Sequence, residues 1–306
     1  MIVFKKVSIK DKQWIDPLLK KADMRGSHYN FTNIFAWASV YAHHVASVYD
    51  HLLVRINGED KKMHYFYPSG KENLKLVLGL MMADAENNGW DFSLIGLLSE
   101  QVKELNDIFP KHFTISTNKD LDDYIYLLSD LVNLTGKKLQ AKRNHINRFK
   151  REYSWSVEPI TTKNIYECWD MNKKWCETHD CADDEMLSRE KCAVELCFEN
   201  YSELDLEGML LRVSGKVIAF TMGEVQNSDT YIVHIEKAFS EYNGAYQVIN
   251  NEFARFIFAK YPHIQFVNRE EDMGYDGLRK AKLSYHPIRM EVKYLAETIP
   301  EQLVSI

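Results

Sequence analysis

The 306-residue sequence has no long hydrophobic run, and this absence narrows what the protein can be. No stretch approaches the ~20 consecutive apolar residues that a membrane-spanning helix needs, and the N-terminus lacks the apolar core of a signal peptide. The sequence therefore predicts a cytoplasmic protein without a transmembrane segment. The net charge of −6 gives no general basis for binding nucleic acid or membranes, so any site for a polyanion must be local.

Cysteine is also scarce. The five cysteines all lie between Cys168 and Cys197, at spacings that match no C-x-x-C metal pair, and their odd number argues against a disulfide framework. Cys176, His179 and Cys181 could contribute to a zinc site, but they occur in apolar helical segments, where thiols usually fill space. We therefore predict no metal site. Motifs of the forms G-x-x-x-x-G-K-[ST], G-x-S-x-G and H-E-x-x-H are missing as well.

What the sequence does contain is a repeated alternation of strands and helices, which is typical of α/β domains. An amphipathic helix is predicted for 71–88, and the order strand, helix, strand recurs over 92–117. Further along, two helices precede a hairpin, a strand, a helix and a closing strand. At 45% hydrophobic residues, a chain of this length can form one large core or two ordinary ones. We predict two α/β domains with mixed sheets, 1–130 and 131–306.

The residues that could carry chemistry are concentrated between Thr230 and Tyr285. The strand predicted for 231–237 alternates, so His234 and Glu236 are expected on the same face. A histidine and a carboxylate placed together can act as an acid/base pair, and either could be the general base. They could also hydrogen-bond each other as part of the sheet.

Two turns follow this strand. The first, Tyr242-Asn243-Gly244, leads into a helix whose free backbone N–H groups would favour an anion. The second, 268–282, contains four acidic and four basic residues. Such a balance suits a ligand that carries both signs of charge, but it also suits an ion-paired surface turn.

A third region stands out by its charge. The helix predicted for 137–153 carries seven Lys or Arg residues and one Glu, although the protein as a whole is acidic. Leu139, Ile146 and Phe149 give it a narrow apolar side, so its basic side should be exposed. That side could contact phosphates of RNA, a lipid headgroup or a coenzyme, or it could simply be solvated. The candidate polyanion-binding residues are Lys142, Arg143 and Arg148.

Several segments together carry a family resemblance. They are H-x-E-K-A from His234, Y-x-G-A-Y-Q from Tyr242, N-R-E-x-D-M-G from Asn268 with its continuation to Pro287, and G-K-K-L-x-x-K-R-N-H-I-N-x-F from Gly136. From about residue 130 onward the chain resembles the phosphatidylglycerol lysyltransferase C-terminal domain family, and the aromatic segment 30–37 fits the family's N-terminal part. The resemblance implies two tandem GNAT-like acyltransferase domains, related to the FemABX aminoacyltransferases.

The resemblance also implies an activity. An acyl or aminoacyl group would move from an activated ester or thioester to an amine or hydroxyl, with acyl-coenzyme A or aminoacyl-tRNA as the donor. Acetyl-coenzyme A enzymes of the GNAT class commonly carry Q/R-x-x-G-x-G/A before the helix, whereas 241–246 has one glycine and an acid in place of the base. This departure favours aminoacyl-tRNA, which the lysyltransferase and FemABX relatives use. The acceptor would be a small molecule, a peptide or a lipid headgroup.

Resemblance and side-chain chemistry together suggest roles for individual residues. Glu270 and Asp272 could bind the donor's ammonium group, while Arg279 and Lys282, three apart on a helix, could hold phosphate. Gly274 would let the backbone approach the ligand. The candidate substrate-binding residues are Tyr246, Asn268, Arg269, Glu270, Asp272, Gly274, Arg279 and Lys282. Two other functions stay open: a non-catalytic protein that binds a small charged ligand in the same cleft, and RNA binding without transfer.

Overall fold

The computed structural model describes residues 2–179, 181 and 183–299. By its internal contacts the chain divides into two compact units. The first contains the described residues up to Asp123 and from Glu291 onward, and the second is Tyr124–Met290. Each unit combines helices with a mostly antiparallel sheet, as the alternation in the sequence predicts.

The first unit is built around one sheet. Its strands are β1 (Lys5–Lys6), β2 (His44–Val48), β3 (His51–Asn57), β4 (Met63–Phe66), β5 (Ser93–Leu97), β6 (Phe113–Thr117) and, from the end of the chain, β14 (Tyr294–Thr298). The described strands are ordered β1-β2-β3-β4-β5-β14-β6, and β4 and β5 are parallel. The helices are α1 (Lys12–Ala22), α2 (Phe31–Ala36), α3 (Ala38–Tyr41), α4 (Leu74–Asn87) and α5 (Ser99–Ile108).

The last strand of the chain belongs to the first unit. β14 pairs antiparallel with both β5 and β6, and Lys293 just before it forms an ion pair with the buried Asp123 at 2.6 Å. The predicted division at residue 130 therefore differs from the structure, in which the first unit ends at Asp123 and regains the chain from Glu291. Local sequence patterns could not show this return, because the partners of a strand are chosen by tertiary contacts.

The second unit has a sheet of its own. Its strands are β7 (Asp123–Leu127), β8 (Trp155–Pro159), β9 (Glu207–Val213), β10 (Lys216–Val225), β11 (Thr230–Ala238), β12 (Phe266–Asn268) and β13 (Arg289–Glu291). The described strands are ordered β13-β7-β12-β11-β10-β9-β8, and β11 pairs in parallel with β12. The helices are α6 (Leu128–Asn133), α7 (Gln140–Glu152), α8 (Ile165–Thr178), α9 (Glu185–Glu199), α10 (Ala245–Lys260) and α11 (Asp276–Leu283).

The elements predicted around the candidate site are confirmed. The basic helix expected over 137–153 is α7, and its apolar side chains Ile146 and Phe149 are buried. The helix expected after Gly244 is α10, where Val248 and Phe253 are buried at helical spacing. α7 packs through this narrow apolar side, whereas α10 buries a broad one that includes the polar residues Asn250 and Asn251.

α10 spans 16 residues, fewer than the ~20 that cross a bilayer. No helix within the described ranges is both long enough and apolar enough to span a membrane.

Candidate active site

A β-bulge on β11 separates the two residues predicted to act as an acid/base pair. The register between β10 and β11 shifts between Met222 and Gly223, and His234 is passed over in the pairing. One extra residue breaks the alternation of side chains along a strand. The prediction that His234 and Glu236 share one face of the sheet is therefore wrong.

Contacts with neighbouring elements identify the face of Glu236. Glu236 accepts a hydrogen bond from Asn250 of α10 at 2.9 Å, and Tyr231 packs against Phe253 of the same helix with ring centroids 5.7 Å apart. Tyr231 and Glu236 are five residues apart and would point in opposite directions in a regular strand. The bulge explains why both face α10.

The face of His234 follows from β10. Thr221 lies opposite Glu236 in the sheet, whereas the partner of His234 is Glu224, three residues further along β10. On its other side, β10 pairs with β9 without a shift from Ala219 to Gly223. Residues three apart on a strand point to opposite faces. His234 therefore lies on the face away from α10, and a proton could not pass directly between it and Glu236.

His234 is buried between two carboxylates. Its Nδ1 lies 2.9 Å from Glu270 Oε1, and its Nε2 lies 3.1 Å from Glu224 Oε1. Burial acts to lower the pKa of the imidazole, but the hydrogen bonds to Glu224 and Glu270 outweigh it and raise the pKa to about 9. Near neutral pH the ring is then protonated and donates from both nitrogens. This arrangement opposes a role for His234 as a general base.

On the other face, Glu236 belongs to a compact group of charged and aromatic side chains, which we call the Glu236 cluster. Arg269 Nη2 donates to Glu236 Oε1 at 2.8 Å, and each of the two side chains is 11% exposed. The Arg269 guanidinium lies 5.1 Å from the ring centroid of Tyr285 and 5.7 Å from that of Tyr126. The cluster consists of Lys142, Tyr126, Glu236, Asn250, Arg269 and Tyr285.

Lys142 brings a second cation from α7 into this cluster. Its Nζ donates to Ser284 Oγ at 2.6 Å and lies 4.1 Å from the ring centroid of Tyr285. Burial and the nearby Arg269 guanidinium lower the pKa of the Lys142 amine, while Glu236 acts in the opposite direction. Among the described residues Lys142 has no carboxylate in ion-pair contact. The cluster therefore holds two cations and one carboxylate.

The ionic turn predicted to bind substrate forms a second network, which we call the Asp272 turn. It meets the Glu236 cluster where the Tyr126 hydroxyl donates to the Lys282 carbonyl at 2.8 Å. Asp272 accepts hydrogen bonds from Arg279 Nε at 2.9 Å, Arg279 Nη2 at 2.8 Å, the Tyr124 hydroxyl at 2.5 Å and the Gly274 N–H at 2.9 Å. Burial acts to raise the pKa of Asp272, but these donors outweigh it and lower the pKa to about 2. Both oxygens of this buried carboxylate are thus engaged within the chain.

Lys282 and Asn268 hold the same turn. Lys282 Nζ donates to the backbone carbonyls of Arg269 at 2.6 Å, Glu270 at 3.2 Å and Glu271 at 2.5 Å. These contacts can use all three hydrogens of an ammonium group. The side chain of Asn268 accepts from the backbone N–H of Glu270 at 2.8 Å. Arg279 and Lys282, which were expected to hold phosphate, therefore stabilise the turn.

α7 packs against the N-terminus of α10. Gly244 precedes α10 with φ of +96°, and a Cβ at this position would stand 2.8 Å from the backbone oxygen of His145 and 3.1 Å from Cβ of Phe149. Glycine is needed here both for its positive φ and for this close approach. Tyr246, in the first turn of α10, is half-buried.

The three candidate polyanion-binding residues of α7 are dispersed. Lys142 points into the Glu236 cluster, as described above. Arg143 donates to the carbonyls of Leu134 and Gly136 in the segment before the helix. Arg148 is exposed and pairs with Glu152 at 2.8 Å, one turn further along. These three residues do not form one surface. Of the three, only Lys142 reaches the Glu236 cluster.

The described residues contain no group of three or more His, Cys, Asp or Glu side chains placed to hold a metal ion. The five cysteines have free thiols.

Sequence reasoning missed several residues of these networks. Tyr124 and Tyr126 alternate in the pattern Y-I-Y of β7, which was a readable signal that they share a face. Glu224 and Asn250 carry no such local signal. They reach His234 and Glu236 only through strand pairing and helix packing.

The family model for the phosphatidylglycerol lysyltransferase C-terminal region matches residues 19–297. The chain belongs to this family. The resemblance recognised in the sequence motifs is thereby confirmed.

Individual relatives extend this result. A conserved protein of unknown function from Bacteroides thetaiotaomicron is 38% identical, with a TM-score of 0.92 over 98% of this chain and 100% of that chain. L-PGS from Bacillus licheniformis is 14% identical, with a TM-score of 0.66 over 94% of this chain and 92% of that chain. An uncharacterized protein of Mycoplasmoides gallisepticum is 27% identical over 67% of this chain, and the match spans 64% of that relative's length.

The fold prediction is confirmed in the same way. FemX has a TM-score of 0.59 over 98% of each chain at 9% identity, which shows a common fold. The chain consists of two tandem GNAT-like domains with mixed α/β structure. Family and fold together point to a GNAT-like acyl- or aminoacyltransferase.

Proposed function

We propose that this protein is an aminoacyltransferase that takes its aminoacyl group from aminoacyl-tRNA. The acceptor is an amine or hydroxyl of a small molecule, a peptide or a lipid headgroup. Membership of a family described by lysyl transfer supports an aminoacyl donor. The observation that carries the choice of donor is the close packing of α7 against Gly244, at the N-terminus of α10.

This observation bears directly on coenzyme A. In the GNAT class, a glycine-rich loop before this helix receives the pyrophosphate, because free backbone N–H groups and the helix dipole attract an anion. Here the backbone oxygen of His145 would be 2.8 Å from a Cβ at Gly244. His145 Nδ1 also lies 3.1 Å from Asn243 Oδ1 in the same loop. α7 thus fills space beside the loop, and this favours a donor that needs no pyrophosphate there.

The Glu236 cluster is the proposed centre of the transfer. Glu236 is the better candidate for the general base, because His234 is held protonated between two carboxylates. The carboxylate of Glu236 would take the proton of the acceptor as it attacks the ester. Asn250 and Arg269 hold this carboxylate from two sides and fix its direction.

The test is a comparison of donors. The purified protein is incubated with tRNA charged with radiolabelled amino acids, together with an extract of small molecules and lipids, and in parallel with labelled acetyl-coenzyme A. We expect label to move from tRNA to a new product, and Glu236→Gln to abolish most of this transfer. Label transferred from the coenzyme but not from tRNA would contradict the proposed donor. Binding of charged tRNA with no transfer to any acceptor would favour the non-catalytic alternative.

A further inference from the structure

Lys142 is the member of the Glu236 cluster with spare hydrogen-bonding capacity. Its ammonium group has three N–H donors; one is used by Ser284 Oγ at 2.6 Å, and the group also rests over the ring of Tyr285. At least one N–H is left without a hydrogen-bond acceptor among the described residues. Lys142, Arg269 and Glu236 are all half-buried, but the ammonium group of Lys142 lies less deeply than the guanidinium of Arg269. Lys142 can therefore meet a ligand that Arg269 meets less easily.

The charge of the cluster indicates the kind of ligand. Two cations, Lys142 and Arg269, share a single carboxylate, Glu236. Arg269 Nη1 is buried and has no hydrogen-bond partner in the described part of the chain. An uncompensated positive charge and an unused donor in a poorly solvated place are costly unless an anion completes them. The cluster thus fits a negatively charged oxygen.

We propose that Lys142 is a catalytic residue that stabilises the oxyanion formed during transfer. This inference rests on the proposed function, and it replaces the expectation that Lys142 contacts the backbone of a polyanion. An ammonium group in a site of low polarity stabilises a developing oxyanion far better than it would in water. Arg269, whose Nη2 already donates to Glu236, adds a second positive charge that also favours the oxyanion.

The reaction can be written with all atoms accounted for. The acceptor's nitrogen or oxygen attacks the carbonyl carbon of the aminoacyl ester, and its proton passes to the Glu236 carboxylate. The π electrons of the carbonyl move onto its oxygen, and Lys142 donates a hydrogen bond to that oxyanion. When the carbonyl re-forms, the bond to the ribose oxygen breaks, and the proton held by Glu236 passes to that oxygen, which leaves as the ribose hydroxyl.

Kinetics separate this role from contact with tRNA. Loss of one oxyanion donor typically lowers kcat by ~10²–10³-fold, so we expect Lys142→Ala to lose transfer by this amount with an unchanged KM for charged tRNA. Lys142→Gln, which removes the positive charge but keeps a polar side chain, should retain the fold if alanine does not. Lys191→Ala is the matched control, because Lys191 is exposed on α9 of the same unit. A raised KM with a weaker salt dependence and a normal kcat would make Lys142 a phosphate contact and overturn the proposal.

A second measurement does not depend on turnover. An α-aminoalkylphosphonate ester of adenosine carries a tetrahedral anionic centre, like the reaction intermediate. Calorimetry should show that wild type and Lys191→Ala bind this compound equally, and that Lys142→Ala and Lys142→Gln bind it much more weakly. Equal binding by all four proteins would overturn the role of Lys142 and leave the proposed function standing. Failure of wild type to transfer from charged tRNA would instead overturn the proposed function.

Discussion

The Asp272 turn and the Glu236 cluster both consist of charged side chains that contact aromatic or polar neighbours. They differ in how many of their hydrogen-bonding groups find partners within the chain. In the turn, four donors surround one carboxylate, and three carbonyls surround one ammonium group. In the cluster, Lys142 keeps an unused donor, and Arg269 Nη1 has no partner among the described residues. The difference indicates that the two cations of the cluster, Lys142 and Arg269, have hydrogen-bond donors left for a substrate, whereas the charges of the turn are used within the chain.

The largest expected effect is on the transfer rate, when the proposed base of the Glu236 cluster is removed. Glu236→Gln keeps the shape of the side chain and its acceptor oxygen, but it removes the proposed base. Because a positioned base contributes ~10²–10⁴-fold in rate, transfer from charged tRNA should fall by about that factor. Initial rates at saturating donor measure the effect. Wild-type rates in this variant would show that the cluster does not accept the proton.

The next effect is on stability, when the central carboxylate of the Asp272 turn is removed. Asp272→Asn leaves Arg279 in a partly buried place without its carboxylate, and breaking such a pair costs ~3–5 kcal/mol of unfolding free energy. Urea unfolding at neutral pH measures this loss. The pKa of Asp272 is lowered to about 2 from 3.8, so its contribution is present above pH 3.8 and is lost as the pH falls through 2. If the variant were as stable as wild type, the network would contribute little to the free energy of unfolding.

His234 gives an effect of intermediate size. Its folded pKa of about 9 lies above the ordinary value of 6.5, so its contribution is complete below pH 6.5 and disappears as the pH rises through 9. On the order of 3 kcal/mol of unfolding free energy should be lost over this range. His234→Gln should lack this part of the decline when both proteins are unfolded in urea at several pH values. Parallel declines would contradict the proposed charge state.

The smallest effect is expected for an ion pair on the protein surface. Arg148 and Glu152 are exposed and one helical turn apart, and such pairs contribute ~0.3–0.5 kcal/mol. Arg148→Ala should therefore change the unfolding midpoint very little, while any weakening of tRNA binding would depend on salt. Thermal unfolding and a salt titration of tRNA binding distinguish the two contributions. A large loss of stability would show that the residue has structural partners beyond Glu152.

Much of the fold could be read from the sequence. Apolar residues at helical spacing gave α7 and α10, and alternation gave β11, because these signals reflect burial within a single element. The motifs from His234, Asn268 and Gly136 were sufficient to recognise the family, which the match over 19–297 confirms.

The arrangement of the site was harder to predict, for identifiable physical reasons. The bulge at His234 is one residue in a strand that otherwise alternates, and it reverses which face each later side chain occupies. The partners of Asp272 include Tyr124 of β7 and Arg279 of α11, and β14 lies between β5 and β6 of the first unit. Such features depend on contacts between distant segments, which local patterns do not encode.

The most direct test of the account measures transfer rate per folded molecule and unfolding midpoint on the same two variants, Lys142→Ala and Asp272→Asn. We predict that Lys142→Ala unfolds at the wild-type midpoint and loses most of its transfer from charged tRNA. Asp272→Asn should unfold much earlier, yet its folded molecules should transfer at nearly the wild-type rate. The reverse result, a fully active Lys142→Ala and a stable but inactive Asp272→Asn, would contradict the assignment of the Glu236 cluster as the reacting centre.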